Sequence, residues 1–111
     1  MGQGCSFSVI VEDRGDRASV QAIGELDLSA EDRWATALAE ARAHPSQHVE
    51  VDMSHVTFID SHGLRLVLRA RLNAGADAEQ LTIVNMSHHV ERVAVLTGLL
   101  DTLVKGDSLQ S

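Results

Sequence analysis

The sequence predicts an α/β fold: a mixed, mostly parallel β-sheet packed with helices, in the order β β α β α β α and then a further strand. Three observations carry this. Two segments of period-two apolar pattern open the chain across a short polar turn. After them, strand-like segments alternate with helix-like segments of roughly ten or more residues, the spacing of βαβ crossovers. No linker, repeat or low-complexity stretch divides the 111 residues. They suit one domain over residues 1–111, with an ordered core at 5–104 and a polar tail at 105–111.

Each element has its own reason. "SFSVIVED" sets Phe7, Val9 and Val11 on one face and Ser6, Ser8, Ile10 and Glu12 on the other, as in a half-buried strand. "DRGDR" is a polar turn around Gly15. "ASVQAIGEL" alternates again, Ala18, Val20 and Ala22 against Ser19, Gln21 and Ile23, so the two strands form an antiparallel hairpin. In "DLSAEDRWATALAEARAHP", Ser29 and Asp32 have capping-box spacing, and Trp34, Ala37, Leu38 and Ala41 recur at helical spacing. Pro45 ends this helix near Ala43. "HVEVDM" is a strand with Val49, Val51 and Met53 on one face, and "SHVTFID" connects it to a second helix. That helix runs from Ser61 to Ala74 with the stripe Leu64, Val67, Leu68 and Leu72, and Gly75 terminates it. "QLTIVNM" is a short buried strand. Ser87 caps a third helix with the face Val90, Val93, Ala94 and Thr97, ended by Gly98. "LLDTLV" is expected to be the last strand.

Composition narrows the function classes. The chain is 44% hydrophobic and 23% charged, an ordinary globular balance. A net charge of −7 argues against nucleic acid as a partner, because a phosphate backbone needs clustered basic residues. The only close group of arginines is Arg65, Arg69 and Arg71. A single cysteine, Cys5, allows no internal disulfide and fits a reducing compartment. No apolar run approaches the ~20 residues that span a bilayer. The expected location is the cytoplasm, without membrane association. "MGQGCS" fits a myristoylation pattern with Cys5 as a second acylation site, but the favoured reading is a polar lead-in to the first strand.

The residues that invite a chemical reading cluster in "FIDSHGL", Phe58 to Leu64. Asp60, Ser61 and His62 do not make a catalytic triad, since sequence neighbours seldom reach one another in the required order. The Gly-x-Ser-x-Gly elbow is absent, as are phosphate-loop and dinucleotide fingerprints. None of the six histidines has the helical spacing of a metal pair, and solvated histidines are the favoured reading. No metal, cofactor or enzymatic activity is therefore expected. Either Asp60 or Ser61 could cap the second helix. Gly63, in the first helical turn, costs up to ~1 kcal/mol against alanine and makes sense where another backbone approaches closely. A phosphate on Ser61 would sit at a helix N-terminus, where anions are favoured.

Three stretches together resemble a STAS domain, and most of all a single-domain bacterial anti-sigma factor antagonist. They are "GELD" (Gly24 to Asp27), "VDMSHVTFIDSHGL" (Val51 to Leu64) and "LTGLLDTL" (Leu96 to Leu103). The resemblance implies a phosphorylation site at Ser61, the residue after the aspartate of Asp-Ser-x-Gly. It implies a partner, an anti-sigma factor that is itself a serine kinase. Binding it releases a sigma factor, phosphorylation breaks the complex, and a phosphatase resets it. Asp27 matches an acidic residue of the partner-binding face, and Asp60, His62, Gly63 and Arg65 are expected to share that face. The alternative is a STAS subunit without a switch, in a lipid-transport or stress-signalling assembly. A hydrolase using Ser61 and a histidine is a third reading.

The sequence departs from the family pattern at His62, where a small hydroxyl residue is usual, and at Arg65, where a second glycine is common. Both bear on partner identity. One expectation follows for His62: protonated, it would pair with phospho-Ser61 and make the modified state pH-sensitive.

Overall fold

The computed structural model describes residues 6–72 and 81–105, with side chains to 103. Strands β1 (Phe7–Asp13) and β2 (Ala18–Leu26) form the expected antiparallel hairpin, with Val9 opposite Ala22 and Val11 opposite Val20. Helix α1 (Glu31–Arg42) crosses to β3 (Val49–Ile59), which pairs parallel with β2. Helix α2 (Ser61–Leu72) crosses to β4 (Leu81–Met86), parallel to β3. The sheet order is β1-β2-β3-β4, with α3 (His88–Leu96) and α4 (Leu100–Lys105) after β4. One sheet face carries the core, built on Phe7, Val20, Val51, Met53 and Leu81 and covered by Trp34, Leu38, Leu64, Val67, Val90 and Leu103. The other face stays open, with Ser8, Ile10, Glu12, Thr82 and Val84 exposed.

Strand β3 is longer than the alternation predicts, because "SHVTFI" is strand rather than connector. Its buried residues step from Met53 to Val56 to Ile59, a spacing of three that does not read as a strand. The register explains it. Gln21 pairs with Asp52 but Ile23 with His55, and Gly24 pairs with Val56 but Glu25 with Phe58. At each step β3 spends an extra residue, the mark of a bulge. Asp52 braces the first bulge, its Oδ1 accepting from Ser54 N (2.9 Å) and Ser54 Oγ (2.7 Å). Partial burial pushes the Asp52 carboxyl up, but the Ser54 and Asn85 hydrogen bonds and nearby His55 outweigh it, and its pKa falls below the usual value.

Three further expectations change. "LLDTLV" is helix α4, not a strand: Leu103 N donates to Leu99 O (3.0 Å), and Leu103 and Thr102 are buried. A short apolar run does not distinguish the two states by periodicity alone. On α2, Leu64 and Val67 are buried as expected, but Leu68 is half-buried and Leu72 exposed, while Leu66, Ala70 and Arg71 are buried. The helix is packed against both the sheet and α4, and Arg71 Nε donates to the Leu103 carbonyl (3.2 Å). The Ser29 cap is displaced by Asp27. Asp27 Oδ1 accepts from Ser29 N (3.0 Å) and Ser29 Oγ (2.6 Å), starting a 3-10 turn, Leu28–Ala30, ahead of α1. Ser87 caps α3 as expected, its Oγ accepting from Val90 N (3.2 Å). Cys5, Ala74, Gly75 and the expected tail from 106 lie outside the described residues.

Candidate functional site

The site forms where β2 and β3 end side by side, Glu25 opposite Phe58 and Leu26 opposite Ile59. "GELD" is shaped by its neighbours. Gly24 has φ +97°, and a Cβ there would overlap the Ser6 carbonyl oxygen, so glycine is needed. Leu26 is fully buried and Asp27 turns the chain out of the sheet. "FIDSHGL" arrives beside it. Ile59 is buried, and Asp60 caps α2: its Oδ1 accepts from Gly63 N (2.8 Å), and its carbonyl from Leu64 N (2.9 Å). The choice between Asp60 and Ser61 as cap is thereby settled for Asp60.

Gly63 ties the two stretches together. It is buried, and a Cβ on it would overlap the carbonyl oxygen of Leu26. The backbone that approaches Gly63 is thus the chain's own, not a partner's. Gly63 cannot present a binding surface; it fixes how close the first turn of α2 lies to the end of β2.

Ser61 is the first residue of α2 and is exposed. With Asp60 as the cap, its hydroxyl is not needed to satisfy the helix. The amides of an α-helix N-terminus and the helix dipole favour a negative group there. Arg65, one turn on, is exposed, and Asp27 is half-buried with one carboxylate oxygen committed to Ser29. His62 turns toward α1. Its Nε2 is shielded from solvent and lies 3.6 Å from Glu31 Oε1, so the ring bridges the starts of α2 and α1. Sequence reading missed Glu31, which α1 brings beside the site. It also missed two exposed apolar side chains on the flanking segments, Leu28 at 62% and Phe58 at 42%. Phe58 stacks on His89 with ring centroids 5.5 Å apart. The signal was available: Leu28 just after "GELD" and Phe58 at the head of "FIDSHGL" are apolar and off the core-facing pattern. Among the described residues no group of acids, histidines or cysteines is arranged to hold a metal ion, and no helix is long and apolar enough to cross a membrane.

The family model described as "Mlab, STAS domain" matches residues 10–105 of the chain. The chain belongs to the STAS-domain family. A STAS-domain containing protein of Pseudomonas aeruginosa is 26% identical over 83 residues, 75% of this chain and 81% of that protein. Among solved structures, an anti-sigma factor antagonist from Mycobacterium paratuberculosis superposes with a TM-score of 0.74 at 24% identity, covering 90% of this chain and 84% of that one. The unphosphorylated form of the anti-sigma factor antagonist SpoIIAA gives a TM-score of 0.65 at 23% identity, covering 83% and 82%. At these identities the likeness is one of fold. The STAS fold accounts for the order of elements, and two of the three stretches that suggested it prove to be in contact through Leu26 and Gly63.

Proposed function

We propose that this STAS domain is an anti-sigma factor antagonist. It binds an anti-sigma factor with serine kinase activity, releases a sigma factor, and is switched off when Ser61 is phosphorylated. The observation that carries this reading is the division of labour at the start of α2: Asp60 caps the helix, and Ser61 is left exposed. The antagonists among its structural neighbours support it.

A phosphoserine carries about −1.5 to −2 charges at neutral pH. On Ser61 it would join Asp60 and the nearby Asp27 and Glu31 in a chain already at −7. A partner surface fitted to a neutral hydroxyl then meets charge repulsion and bulk. Losing ~3–4 kcal/mol of binding weakens a complex several-hundred-fold. Leu28 and Phe58 supply apolar contact area beside the switch, and Asp27, Asp60, His62 and Arg65 its polar rim. The helix N-terminus accommodates the phosphate, so the fold need not change. In this reading the protein is a cytoplasmic kinase substrate reset by a phosphatase. It is not an enzyme and needs no cofactor.

A second reading keeps the fold without the switch: a subunit of another assembly, such as lipid transport. One observation favours it, that the matching family model is described by Mlab rather than by an antagonist. A pull-down from the native host separates the two. Wild type and Ser61→Ala should capture an ATP-binding anti-sigma kinase, and Ser61→Asp should not. Equal capture by all three abolishes the phospho-switch.

A further inference from the structure

At the other end of β3, three side chains distant in sequence meet. His44 Nε2 lies 2.9 Å from Asp13 Oδ1, and His44 Nδ1 lies 2.8 Å from Ser46 Oγ. The tautomer is set by a third bond: Ser46 N donates to Nδ1 (3.1 Å), so Nδ1 holds the lone pair and Nε2 carries the hydrogen given to Asp13. Asp13 is itself fixed, accepting from Gly15 N (2.8 Å) in the hairpin turn. Its carboxylate therefore stays charged beside the ring. The His44 side chain is only 9% exposed. His48 N donates to Ser46 Oγ (3.1 Å), so the oxygen accepts from an amide while its own proton faces Nδ1. Gln47, next in the chain, has φ +64°, a left-handed backbone that a non-glycine residue seldom adopts. Such strain persists where the surroundings fix it, and it clusters at functional sites.

We propose that Ser46 is an activated hydroxyl that accepts an acyl group from activated esters, with His44 as its base and Asp13 orienting His44. The order of contacts is that of a serine relay, with the two ring nitrogens exchanging their usual partners. Ser46 Oγ bonds to the ester carbonyl carbon, and the carbon–oxygen bond to the leaving alcohol breaks. The serine proton passes to His44 Nδ1 and is then released to the leaving group or to water. The products are acyl-Ser46 and the alcohol. A cavity of about 430 Å³ lined by Asp16, Arg17, His48, Val49, Glu50 and Thr82 begins two residues beyond Ser46, and none of the relay residues lines it. The proposal does not depend on the role of Ser61.

The test is p-nitrophenyl acetate on the full chain, followed by peptide mass spectrometry over time. The expected result is a single acetyl group on the Ser46 peptide. His44→Gln should slow its formation roughly a hundredfold, the scale of a lost general base, and Asp13→Asn less. Ser46→Ala should abolish it, and circular dichroism should show each variant folded. The proposal is overturned if folded wild type gains no acetyl group on Ser46, if exposed Ser29 or Ser54 is labelled as fast, or if His44→Gln leaves the Ser46 rate unchanged. Ser46→Thr, which keeps a hydroxyl, should retain labelling; its loss with the fold intact also counts against the relay.

Discussion

Ser46 and Ser61 lie just beyond the two ends of β3, an 11-residue strand that spans roughly 35 Å at ~3.3 Å per residue. They differ in what surrounds them. Around Ser46 the hydroxyl is held by a histidine and a backbone amide, and the histidine is held in turn by a carboxylate. At Ser61 the effort goes into the backbone instead. Asp60 caps, Gly63 touches Leu26, and the hydroxyl itself is left free to solvent. The first arrangement suits chemistry that begins inside the protein. The second suits chemistry done from outside, because a visiting enzyme needs a hydroxyl that is rigidly presented and unoccupied.

The sharpest way to break that contrast is Gly63→Ala. The added methyl meets backbone, the Leu26 carbonyl, which cannot rotate away as a side chain could. Overpacking costs typically about 1–3 kcal/mol. The ~1 kcal/mol that alanine gains in helix propensity offsets only the lower end of that range. Urea unfolding should show a lower midpoint. A variant as stable as wild type would mean that α2 is not held by this contact and that Ser61 is not firmly placed by it.

Asp60→Ala comes next. It removes the cap of α2 and should cost ~1 kcal/mol. The comparison to make is with Ser61→Ala, which removes no capping bond and should leave the unfolding midpoint within experimental error. If the two variants are equally destabilised, Ser61 shares the capping role and is not free for modification.

How much of this was legible in the sequence follows from the same physics. β1, β2 and the starts of β3, α2 and α3 read correctly, because their apolar residues keep period two or carry a cap such as Ser87. The second half of β3 did not, because two bulges replace alternation by the Met53–Val56–Ile59 spacing. Helix α4 read as a strand because six residues are too few for a period to declare itself. At the switch, "FIDSHGL" pointed to Ser61, but the reason for Gly63 lay in Leu26, far away in sequence. The Asp13–His44–Ser46 contact was illegible for that cause too, since 31 residues separate Asp13 from His44. The nearest signal was the His44 and Ser46 pair around Pro45, a turn that brings the two together. The reading of loop and helix-start histidines as solvated fails in part, since Nε2 of His62 and of His89 is shielded from solvent, and His44 just after α1 is nearly buried too.

A smaller effect separates the two ends by pH. Asp13 has its pKa lowered, first by the Gly15 amide and then by His44. A carboxylate whose folded pKa is depressed stabilises the protein above its unfolded value, about 3.9. That contribution is lost as pH falls through the lower folded value. Asp13→Asn should therefore destabilise modestly at neutral pH and become equal to wild type at the acid end. A thermal-melt series across pH 2 to 6 (roughly the span of a carboxylate titration) would show the gap closing. A gap that is constant with pH would mean that Asp13 acts only by packing.

The smallest expected effect concerns His62, and it decides between two geometries. If the ring pairs with a phosphate on Ser61, removing it should raise the second pKa of that phosphate. The structure points the ring elsewhere: Nε2 faces Glu31 across the α1–α2 boundary. Successive residues on a helix do not face one another, which leaves His62 poorly placed to reach its neighbour's outward-pointing group. Phosphorus NMR titration of phosphorylated wild type and His62→Ala should therefore give the same second pKa. A rise in the variant would show that phosphorylation pulls the ring away from Glu31. His62 would then belong to the switch rather than to the scaffold that holds α2 against α1.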